Sequence, residues 1–243
     1  DPTPIGTFRS FDAALTLGYA TKIDPDWGLG LNFRLIHSRL SPEISVGQQK
    51  GSGSATSISF DLAAMWRPVN FVLPLIDENI GGKFSLGVNL SNLGPKIYYL
   101  QKAQADPIPT NFRLGFAYKV LDDEFNSLIY TLDFSKLLVN RTVTQVTDTT
   151  TVTESDEWYQ AIFTAWGNES FSEELRDIVT SMGLEYWYGT PGDFLFALRT
   201  GFFYEDPSYG NRKFVTFGAG IRYDIYGFDF SYITTSVFKG GEN

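Results

Sequence analysis

Large apolar residues take every second position over much of the chain. Residues 83–118 show the pattern twice, in the sets Phe84, Leu86, Val88, Leu90 and Phe112, Leu114, Phe116, Tyr118. Successive side chains of a β-strand point to opposite faces, so each set predicts one strand with one large apolar face. The two strands are separated by a long proline-containing connection, residues 94–110.

The same alternation predicts ten strands in total. They cover approximately residues 10–22, 27–35, 58–66, 84–91, 112–119, 128–134, 183–188, 194–204, 213–223 and 228–238. The connections between these strands alternate in length. The short ones lie at 24–26, 122–126, 189–193 and 224–227, and the long ones at 41–56, 94–110, 139–182 and 205–212. The linker after residue 66 falls at the end of the strands that has the short connections, but it is longer than the others there. An antiparallel meander with turns at one end and loops at the other is the organisation of an outer-membrane β-barrel. We therefore predict one all-β domain over residues 1–243.

The longest connection, residues 139–182, is predicted to be a Thr-rich and helical extracellular insertion. Its Thr-rich part, residues 140–157, is expected to be mobile. A helix is predicted over residues 158–181, because Ser170 and Glu173 fit a capping box. Apolar residues also recur there at helical spacing, at Phe171, Leu175, Ile178, Val179 and Met182.

Alternation alone does not separate a membrane barrel from a soluble β domain, but the second face of the strands does. It is crowded with glycine, at Gly28, Gly30, Gly87, Gly115, Gly201, Gly218 and Gly220. The ends of the apolar face nearest the short turns carry aromatic residues, at Tyr19, Trp27, Trp66, Tyr118, Tyr188, Tyr223 and Phe228. Aromatic residues at one level favour a membrane interface. Ten strands this apolar would also aggregate in water, which again favours the membrane barrel.

The second face is then the barrel lumen, and it receives five acidic and five basic residues. They are Asp12, Arg34, Asp61, Arg113, Lys119, Asp133, Glu185, Arg199, Arg222 and Asp229. Two interpretations stay open at this point. The charges form a network of ion pairs that holds the interior, or they line a polar path or ligand surface.

Composition excludes several functions. A net charge of -9 without clustered Lys or Arg argues against nucleic acid. The absence of cysteine excludes disulfides and thiolate metal sites. No apolar run approaches the length of a spanning helix. The first twelve residues show no signal peptide, which is what a mature or truncated chain would look like.

Sequence motifs of catalysis are also missing, so we expect no enzyme, no catalytic residue, no cofactor and no metal. The single histidine, His37, falls on the apolar face near a strand end, where an interfacial position is expected. The acidic turn of Asp122, Asp123 and Glu124 could bind calcium, but a solvated turn is the default interpretation.

Five sequence segments, in this order along the chain, resemble those of a known family. They are SLGVNLSNLGPKIYY, PIPTNFRLGFAY, SFSEELRDIVTSMGLEYWYG, FALRTGFFYED and GNRKFVTFGAGIRYDIYGFDFSY. Together they resemble the PorV family of type IX secretion system outer-membrane proteins of Bacteroidota, relatives of the FadL fatty-acid transporters. The resemblance covers roughly residues 10–232 and is most specific over 171–232. The Thr-rich insert at 143–157 departs from it.

The resemblance implies a fourteen-stranded FadL-like antiparallel transmembrane β-barrel, with three strands before Asp1 and one after Asn243. It implies a location in the outer membrane of a Gram-negative bacterium. The implied partners are the large translocon barrel, the C-terminal domains of secreted cargo, the surface attachment complex, and outer-membrane lipids including lipopolysaccharide. The implied function is to bind cargo at the translocon and shuttle it to the attachment complex.

Loops at the long-connection end are the expected contact surface, because recognition residues concentrate on loops. The candidate contact residues there are Tyr98, Tyr99, Trp158, Trp166, Tyr209, Asn211 and Arg212. Lumen residues Arg113 and Arg199 are weaker candidates. The alternative function is FadL-like transport of hydrophobic small molecules. A wide apolar lumen pocket with a lateral gap would favour transport, and a lumen filled with ion pairs would favour the shuttle.

Overall fold

A computed structural model describes residues 9–40, 44–46, 49–51, 53–74, 77–99, 105–147, 150–190 and 192–234. The elements, in chain order, are β1 (Phe11–Lys22), β2 (Trp27–Arg39), β3 (Ile44–Val46), β4 (Gln49–Gly51), β5 (Ser54–Trp66), β6 (Val72–Leu73), β7 (Glu78–Asn79), β8 (Phe84–Leu93), β9 (Asn111–Asp122), β10 (Asn126–Leu137), β11 (Arg141–Thr147), β12 (Thr150–Ser155), α1 (Trp158–Thr164), α2 (Phe171–Arg176), β13 (Val179–Tyr188), β14 (Leu195–Tyr204), β15 (Lys213–Tyr223) and β16 (Tyr226–Ile233).

Ten of these strands form one antiparallel sheet in the order β1-β2-β5-β8-β9-β10-β13-β14-β15-β16. Each strand pairs with its neighbour in the meander, and β1 and β16 are the two edges of the sheet. The prediction of an all-β antiparallel meander is confirmed. The short connections lie at one end of the sheet, the short-turn end, and the long ones at the other, the long-loop end. A closed barrel of fourteen strands stays a prediction, and residues 235–238 of the last predicted strand lie outside the described residues.

The two faces of the sheet are buried in the reverse sense from those of a water-soluble protein. On β5, Ser59 and Asp61 are 0% and 4% exposed, whereas Ile58, Phe60 and Leu62 are 39%, 42% and 50% exposed. We call these the polar face and the apolar face. Soluble domains bury their large apolar side chains and leave charged ones in water. An inverted pattern of this kind is expected where lipid surrounds the apolar face.

Aromatic residues of the apolar face contact one another near the short-turn end. Three of the seven aromatic residues predicted to lie at this level, Trp27, Trp66 and Tyr223, make such contacts. Trp27 and Trp66 are paired in register, with ring centroids 6.3 Å apart. Phe194 stacks on Tyr223 with centroids 4.4 Å apart. The turn below Trp27 is closed by Asp24, whose carboxylate accepts the Trp27 backbone N–H at 2.8 Å.

The insertion differs from its prediction in two ways. The Thr-rich part, predicted to be mobile, pairs β11 with β12 as a hairpin, from Arg141 opposite Ser155 onward. The single predicted helix over residues 158–181 is wrong, because two short helices, α1 and α2, form and β13 already begins at Val179. The predicted capping box is present, with the Glu173 carboxylate accepting the Ser170 N–H at 3.1 Å.

Two further connections also contain short hairpins: β3 pairs with β4 and β6 pairs with β7. None of the helices among the described residues has the length and apolarity needed to cross a membrane.

Candidate functional site

Three long connections lie together at the long-loop end of the sheet. They join β8 to β9, β10 to β13, and β14 to β15. Their described residues are 94–99, 105–110, 138–147, 150–178 and 205–212. Side-chain contacts link the three connections, and we call them together the platform.

A buried carboxylate on the polar face fixes the point where the first connection leaves the sheet. Asp61 Oδ2 accepts hydrogen bonds from Arg34 Nη2 at 2.7 Å and Asn32 Nδ2 at 3.1 Å, and its Oδ1 accepts the Asn92 backbone N–H at 2.9 Å. Asn92 has a φ of 58°, in the left-handed region. Its amide donates to the Pro109 carbonyl at 2.9 Å, at the far end of the same connection. The charge of Asp61 is therefore paired as well as buried, which makes its burial tolerable.

The first connection is held against the end of β2 by a tyrosine. The Tyr99 hydroxyl donates to Ser38 Oγ at 2.9 Å. Ile97 and Asp106 exchange two backbone hydrogen bonds of 2.8 and 2.9 Å, which close the connection on itself. Tyr98 lies between these contacts and leaves its ring exposed.

The hairpin and α1 of the insertion are locked together by one carboxylate. Asp156 Oδ2 accepts hydrogen bonds from Thr164 Oγ1 at 2.6 Å and from Asn140 Nδ2 at 3.0 Å. The Thr164 hydrogen bond, with that of Asn140, lowers the pKa of the Asp156 carboxyl. Asp156 is therefore ionised near neutral pH and joins both ends of the hairpin to the helix.

Lys96 links the first connection to the insertion. Its Nζ donates to the Ser155 carbonyl at 2.5 Å and lies 3.2 Å from Glu157 Oε1. Arg141 of the insertion also approaches Asp106 of the first connection, at 3.5 Å between Nη2 and Oδ1. The two connections are thus tied at two places.

A buried lysine at the end of β10 holds α2. Lys136 is 4% exposed, and its Nζ lies 2.6 Å from Asp177 Oδ2 and 2.7 Å from Glu174 Oε2. The same ammonium lies 5.8 Å from the centre of the Trp166 ring, which meets Phe112 edge-on at 5.5 Å. Removing one partner of such a buried pair is costly, because the other charge stays buried.

The third connection is a turn closed by an ion pair. Arg212 donates to both carboxylate oxygens of the buried Glu205, at 2.7 Å each, and its guanidinium lies 5.5 Å from the Phe203 ring. The Arg212 hydrogen bond lowers the pKa of the Glu205 carboxyl. Asn211 takes the left-handed conformation at φ 56°, which asparagine tolerates better than most residues.

Tyr209 links this turn to the insertion. Its hydroxyl donates to Glu169 Oε2 at 2.5 Å. That hydrogen bond to a carboxylate raises the pKa of the Tyr209 phenol to about 12. The first and third connections are therefore both tied to the second, which contains the insertion.

The structure places all seven loop candidates on the platform, but in two roles. Tyr98, Trp166 and Tyr209 expose large parts of their rings. Tyr99 and Arg212 direct their polar atoms to Ser38 and Glu205, and thereby hold loops in place. The remaining two are Asn211, which is exposed in its turn, and Trp158, which is partly buried with its ring edge-on to Tyr159 at 5.7 Å.

The two lumen candidates lie on the polar face and away from each other. Arg199 is paired with Glu185 at 2.5 Å and Asp229 at 2.9 Å, and its guanidinium lies 5.2 Å from the Trp187 ring. The guanidinium of Arg113 makes no ion pair or hydrogen bond to any other described residue. It lines a cavity of about 520 Å³ whose other walls are mostly small or apolar.

The predicted ion-pair network of the lumen is confirmed in part. It consists of Arg34 with Asp61, and of a chain that runs from Glu185 through Arg199 and Asp229 to Arg222. Lys119 pairs instead with Asp122 in its own strand, at 2.9 Å. Within the described ranges, three of the ten charges lack an ion pair: Asp12, Arg113 and Asp133.

Sequence reasoning missed the residues that join the loops. Lys96, Glu157 and Lys136 are ordinary charged residues in the sequence, and their partners lie 38 to 61 positions away. No local pattern marks such contacts, so the sequence held no usable signal for them.

The acidic turn considered for calcium has a structural role instead. Asp123 Oδ1 accepts backbone N–H groups of Phe125 at 3.0 Å and Asn126 at 2.8 Å. The Asn126 side-chain amide contributes most to the lowered pKa of the Asp123 carboxyl. Across the described ranges, no group of three or more His, Asp or Glu side chains is arranged to hold a metal ion.

Comparison with known proteins gives one family. A model of the family described as type IX secretion system protein PorV matches residues 8–144. This range covers more than half of the 243 residues and runs from β1 into β11. Residues 171–232, the most specific part of the resemblance seen in the sequence, lie outside it. No curated protein matches the chain.

Proposed function

Because the chain belongs to the PorV family, and is thus a component of the type IX secretion system, we propose that it binds the C-terminal domain of secreted cargo at its platform. In this proposal it lies in the outer membrane of a Gram-negative bacterium, receives cargo at the large translocon barrel, and carries it to the surface attachment complex. The family is a secretion component and not a known enzyme family.

One observation carries this proposal: exposed aromatic rings sit on loops that side-chain hydrogen bonds and ion pairs hold to one another and to the sheet. Tyr98, Trp166 and Tyr209 expose their rings, while neighbouring side chains fix the backbone beneath them. Rigid aromatic side chains are frequent anchors of protein interfaces, because they bury much area at a small entropic cost. The platform therefore suits a protein partner.

The membrane location is supported by the inverted burial of the sheet. The exposed apolar side chains of β5 would be unfavourable in water, and lipid removes that cost. Lipids, including lipopolysaccharide, would contact the apolar face and leave the long-loop end accessible to protein partners.

The test is affinity purification of the protein from outer membranes. We expect to recover secreted proteins that share one C-terminal domain, together with a very large barrel protein. Tyr98→Ala should lower cargo recovery by about tenfold, the loss expected from truncating an interface anchor. Tyr226→Ala is the matched control, since Tyr226 is 71% exposed at the opposite end of the sheet. Recovery of lipid alone, or equal loss in both variants, would contradict the proposal.

A second candidate, transport of hydrophobic small molecules, is favoured by one feature. The cavity of about 520 Å³ on the polar face has mostly small or apolar walls, and its charged lining consists of two cations, Arg113 and Lys22, and one carboxylate, Asp133. The excess of positive charge fits an amphipathic molecule with an anionic group. Binding of a fluorescent fatty acid to the purified protein, weakened in Arg113→Ala and unchanged in Tyr98→Ala, would support this candidate.

A further inference from the structure

The side chain of Lys136 leaves the sheet on its apolar face. Lys136 follows Leu132 and Phe134 at two-residue spacing along β10, and it pairs in register with Phe112 of β9. Residues at this spacing, and residues directly opposite one another, point to the same side of a sheet. Lys136 is nevertheless 4% exposed, whereas Met182, on the same face of the next strand, is 40% exposed. The apolar face is therefore covered at Lys136.

The cover is the helical part of the insertion. The Lys136 ammonium lies 2.7 Å from Glu174 Oε2 and 2.6 Å from Asp177 Oδ2, at the end of α2. Trp166, which follows α1, meets the ring of Phe112 edge-on at 5.5 Å. The end of α1 and the whole of α2 thus lie against the apolar face of the sheet, on the side where we place lipid.

These contacts lie at the depth of the outer leaflet. Phe112 precedes Tyr118 on β9, and we place Tyr118 at the interface near the short-turn end. Six residues at about 2.6 Å each along the membrane normal put Phe112 about 16 Å above that interface, in a lipid band about 25 Å tall. Phe112 and the neighbouring Lys136 are then about 9 Å below the opposite interface. An unpaired ammonium would be costly at this depth, and the carboxylates of α2 remove that cost.

Both helices leave large apolar side chains exposed. Tyr159 and Phe163 of α1 are 53% and 78% exposed, and Phe171 and Leu175 of α2 are 79% and 55% exposed. The members of each pair are four residues apart, so each pair lies on one side of its helix. On α1 the opposite side carries a buried alanine, Ala161, at 3% exposure. The insertion therefore adds an exposed apolar surface directly beside the lipid-facing strands.

The sides of α2 are arranged as in a helix that lies at a membrane surface. At about 100° per residue, Glu174, which contacts Lys136, is about 80° from the middle of the pair formed by Phe171 and Leu175. Arg176 is about 120° from the same point, on the other side. One side of α2 thus faces the sheet, an apolar side lies at about a right angle to it, and a charged side points away. This is the pattern of an interfacial amphipathic helix.

We propose that α1 and α2 lie in the outer leaflet, with Phe163, Phe171 and Leu175 among the lipid acyl chains. Helices of this kind bury their apolar side about 5–10 Å below the headgroups, which agrees with the depth of Phe112. Lipid is the occupant because the helices continue the face that lipid already covers. The inference rests on the membrane location of the proposed function and adds a loop to the lipid contacts of the strands. It assigns Trp166 to the lipid side of the platform.

The test measures label depth in the full chain, reconstituted in vesicles of phosphatidylethanolamine and phosphatidylglycerol. The sequence contains no cysteine, so one introduced cysteine carries a nitroxide at a chosen position. Phe163→Cys and Phe171→Cys should place the nitroxide about 5–10 Å below the lipid phosphates, where oxygen reaches it better than a water-soluble nickel complex. Arg176→Cys, on the charged side of α2, and Val143→Cys, on β11, are the matched controls and should place it in water.

Leu62→Cys separates a failure of this inference from a failure of the membrane location, since Leu62 is exposed on the apolar face of β5. If the Leu62 label lies in lipid but the label at Phe163 or Phe171 lies in water, only this inference is overturned. Helices whose apolar side binds a protein partner instead would give that result. If the Leu62 label also lies in water, the membrane location falls as well. A label at Arg176 as deep as that at Phe171 would likewise overturn the inference, because α2 would then have no water-facing side.

Phe171→Ser gives a second readout, the backbone amide exchange of α2 in the same vesicles. We expect exchange in residues 171–176 to accelerate by at least about tenfold, because serine does not replace the apolar area that lipid buries. Val143→Ser is the control, since Val143 is also largely exposed but lies where we expect water. Its exchange in β11 should stay unchanged. Equal exchange of α2 in the wild type and in Phe171→Ser would contradict the lipid contact.

Discussion

The sharpest test of the membrane assignment is a charge placed in the middle of the apolar face. Leu62 is 50% exposed and lies four residues from Trp66 along β5. At about 2.6 Å per residue along the membrane normal, it is about 10 Å from the interface, close to the centre of a lipid band about 25 Å tall. Leu62→Arg should therefore destabilise the folded protein by about 2–4 kcal/mol, the cost of arginine at the bilayer midplane.

The assay is urea unfolding of the protein folded into lipid vesicles, followed by tryptophan fluorescence. Val143→Arg is the matched control, because Val143 is 64% exposed on β11 of the platform, where we expect water. Its free energy of unfolding should change by less than about 0.5 kcal/mol, as for most exposed positions. Similar changes in the two variants would refute the lipid-facing assignment of the apolar face.

Three other predictions concern buried charges and turns. Asp61→Ala should lower the free energy of unfolding by about 2–3 kcal/mol in the same assay, a loss below that of a fully buried pair because Arg34 keeps partial access to water. The Glu205 carboxyl has a lowered pKa in the folded protein, so its contribution is complete above its ordinary value of 4.5 and lost as the pH falls through the lowered value. Proteolytic cleavage of the turn closed by Arg212 should therefore accelerate at acidic pH. In Glu205→Gln the turn should be cleaved faster than in the wild type at neutral pH, and the cleavage rate should not depend on pH. The phenol of Tyr209 has a raised pKa of about 12, so its hydrogen bond should persist above the ordinary value of 10.0 and be lost near 12. Ultraviolet titration should show one tyrosine that ionises this late, absent in Tyr209→Phe; a Tyr209 that titrates at 10 would contradict the hydrogen bond.

The sheet could be predicted because period-two alternation is a local property. On β2, every second residue from Trp27 to Leu35 is apolar, and the structure places all of them on one face. The pattern misled where two periods overlap. Phe171, Leu175, Ile178 and Met182 fit a helix, yet Met182 also alternates with Leu184 and pairs with Leu132 of β10. Pairing with β10 makes residues 179–182 a strand, and this pairing cannot be read from the sequence of the segment alone.

The platform could be located from the sequence but not assembled. Loop lengths placed Tyr98 and Tyr209 at the correct end of the sheet. The division between exposed rings and structural ties depends on partners far along the chain, such as Ser38 for Tyr99. Tyr98 therefore exposes its ring whereas the adjacent Tyr99 holds a loop in place, and their shared local sequence does not distinguish these roles.

The order of the sheet has a consequence for how the chain folds. Eight of the nine strand pairings join segments separated by fewer residues than the insertion, whereas β10 and β13 must meet across about forty residues, which costs about 2 kcal/mol more loop-closure entropy than a four-residue turn. The insertion reduces this cost itself. Its hairpin brings residues 140 and 156 together through the Asp156 N–H to Asn140 carbonyl bond of 3.0 Å. Once the hairpin has formed, its residues no longer add to the gap between β10 and β13, which leaves about 26 residues to close instead of about 41 and lowers the entropic cost by about 0.4 kcal/mol. The Thr-rich segment thus makes it easier for the second half of the sheet to pair with the first.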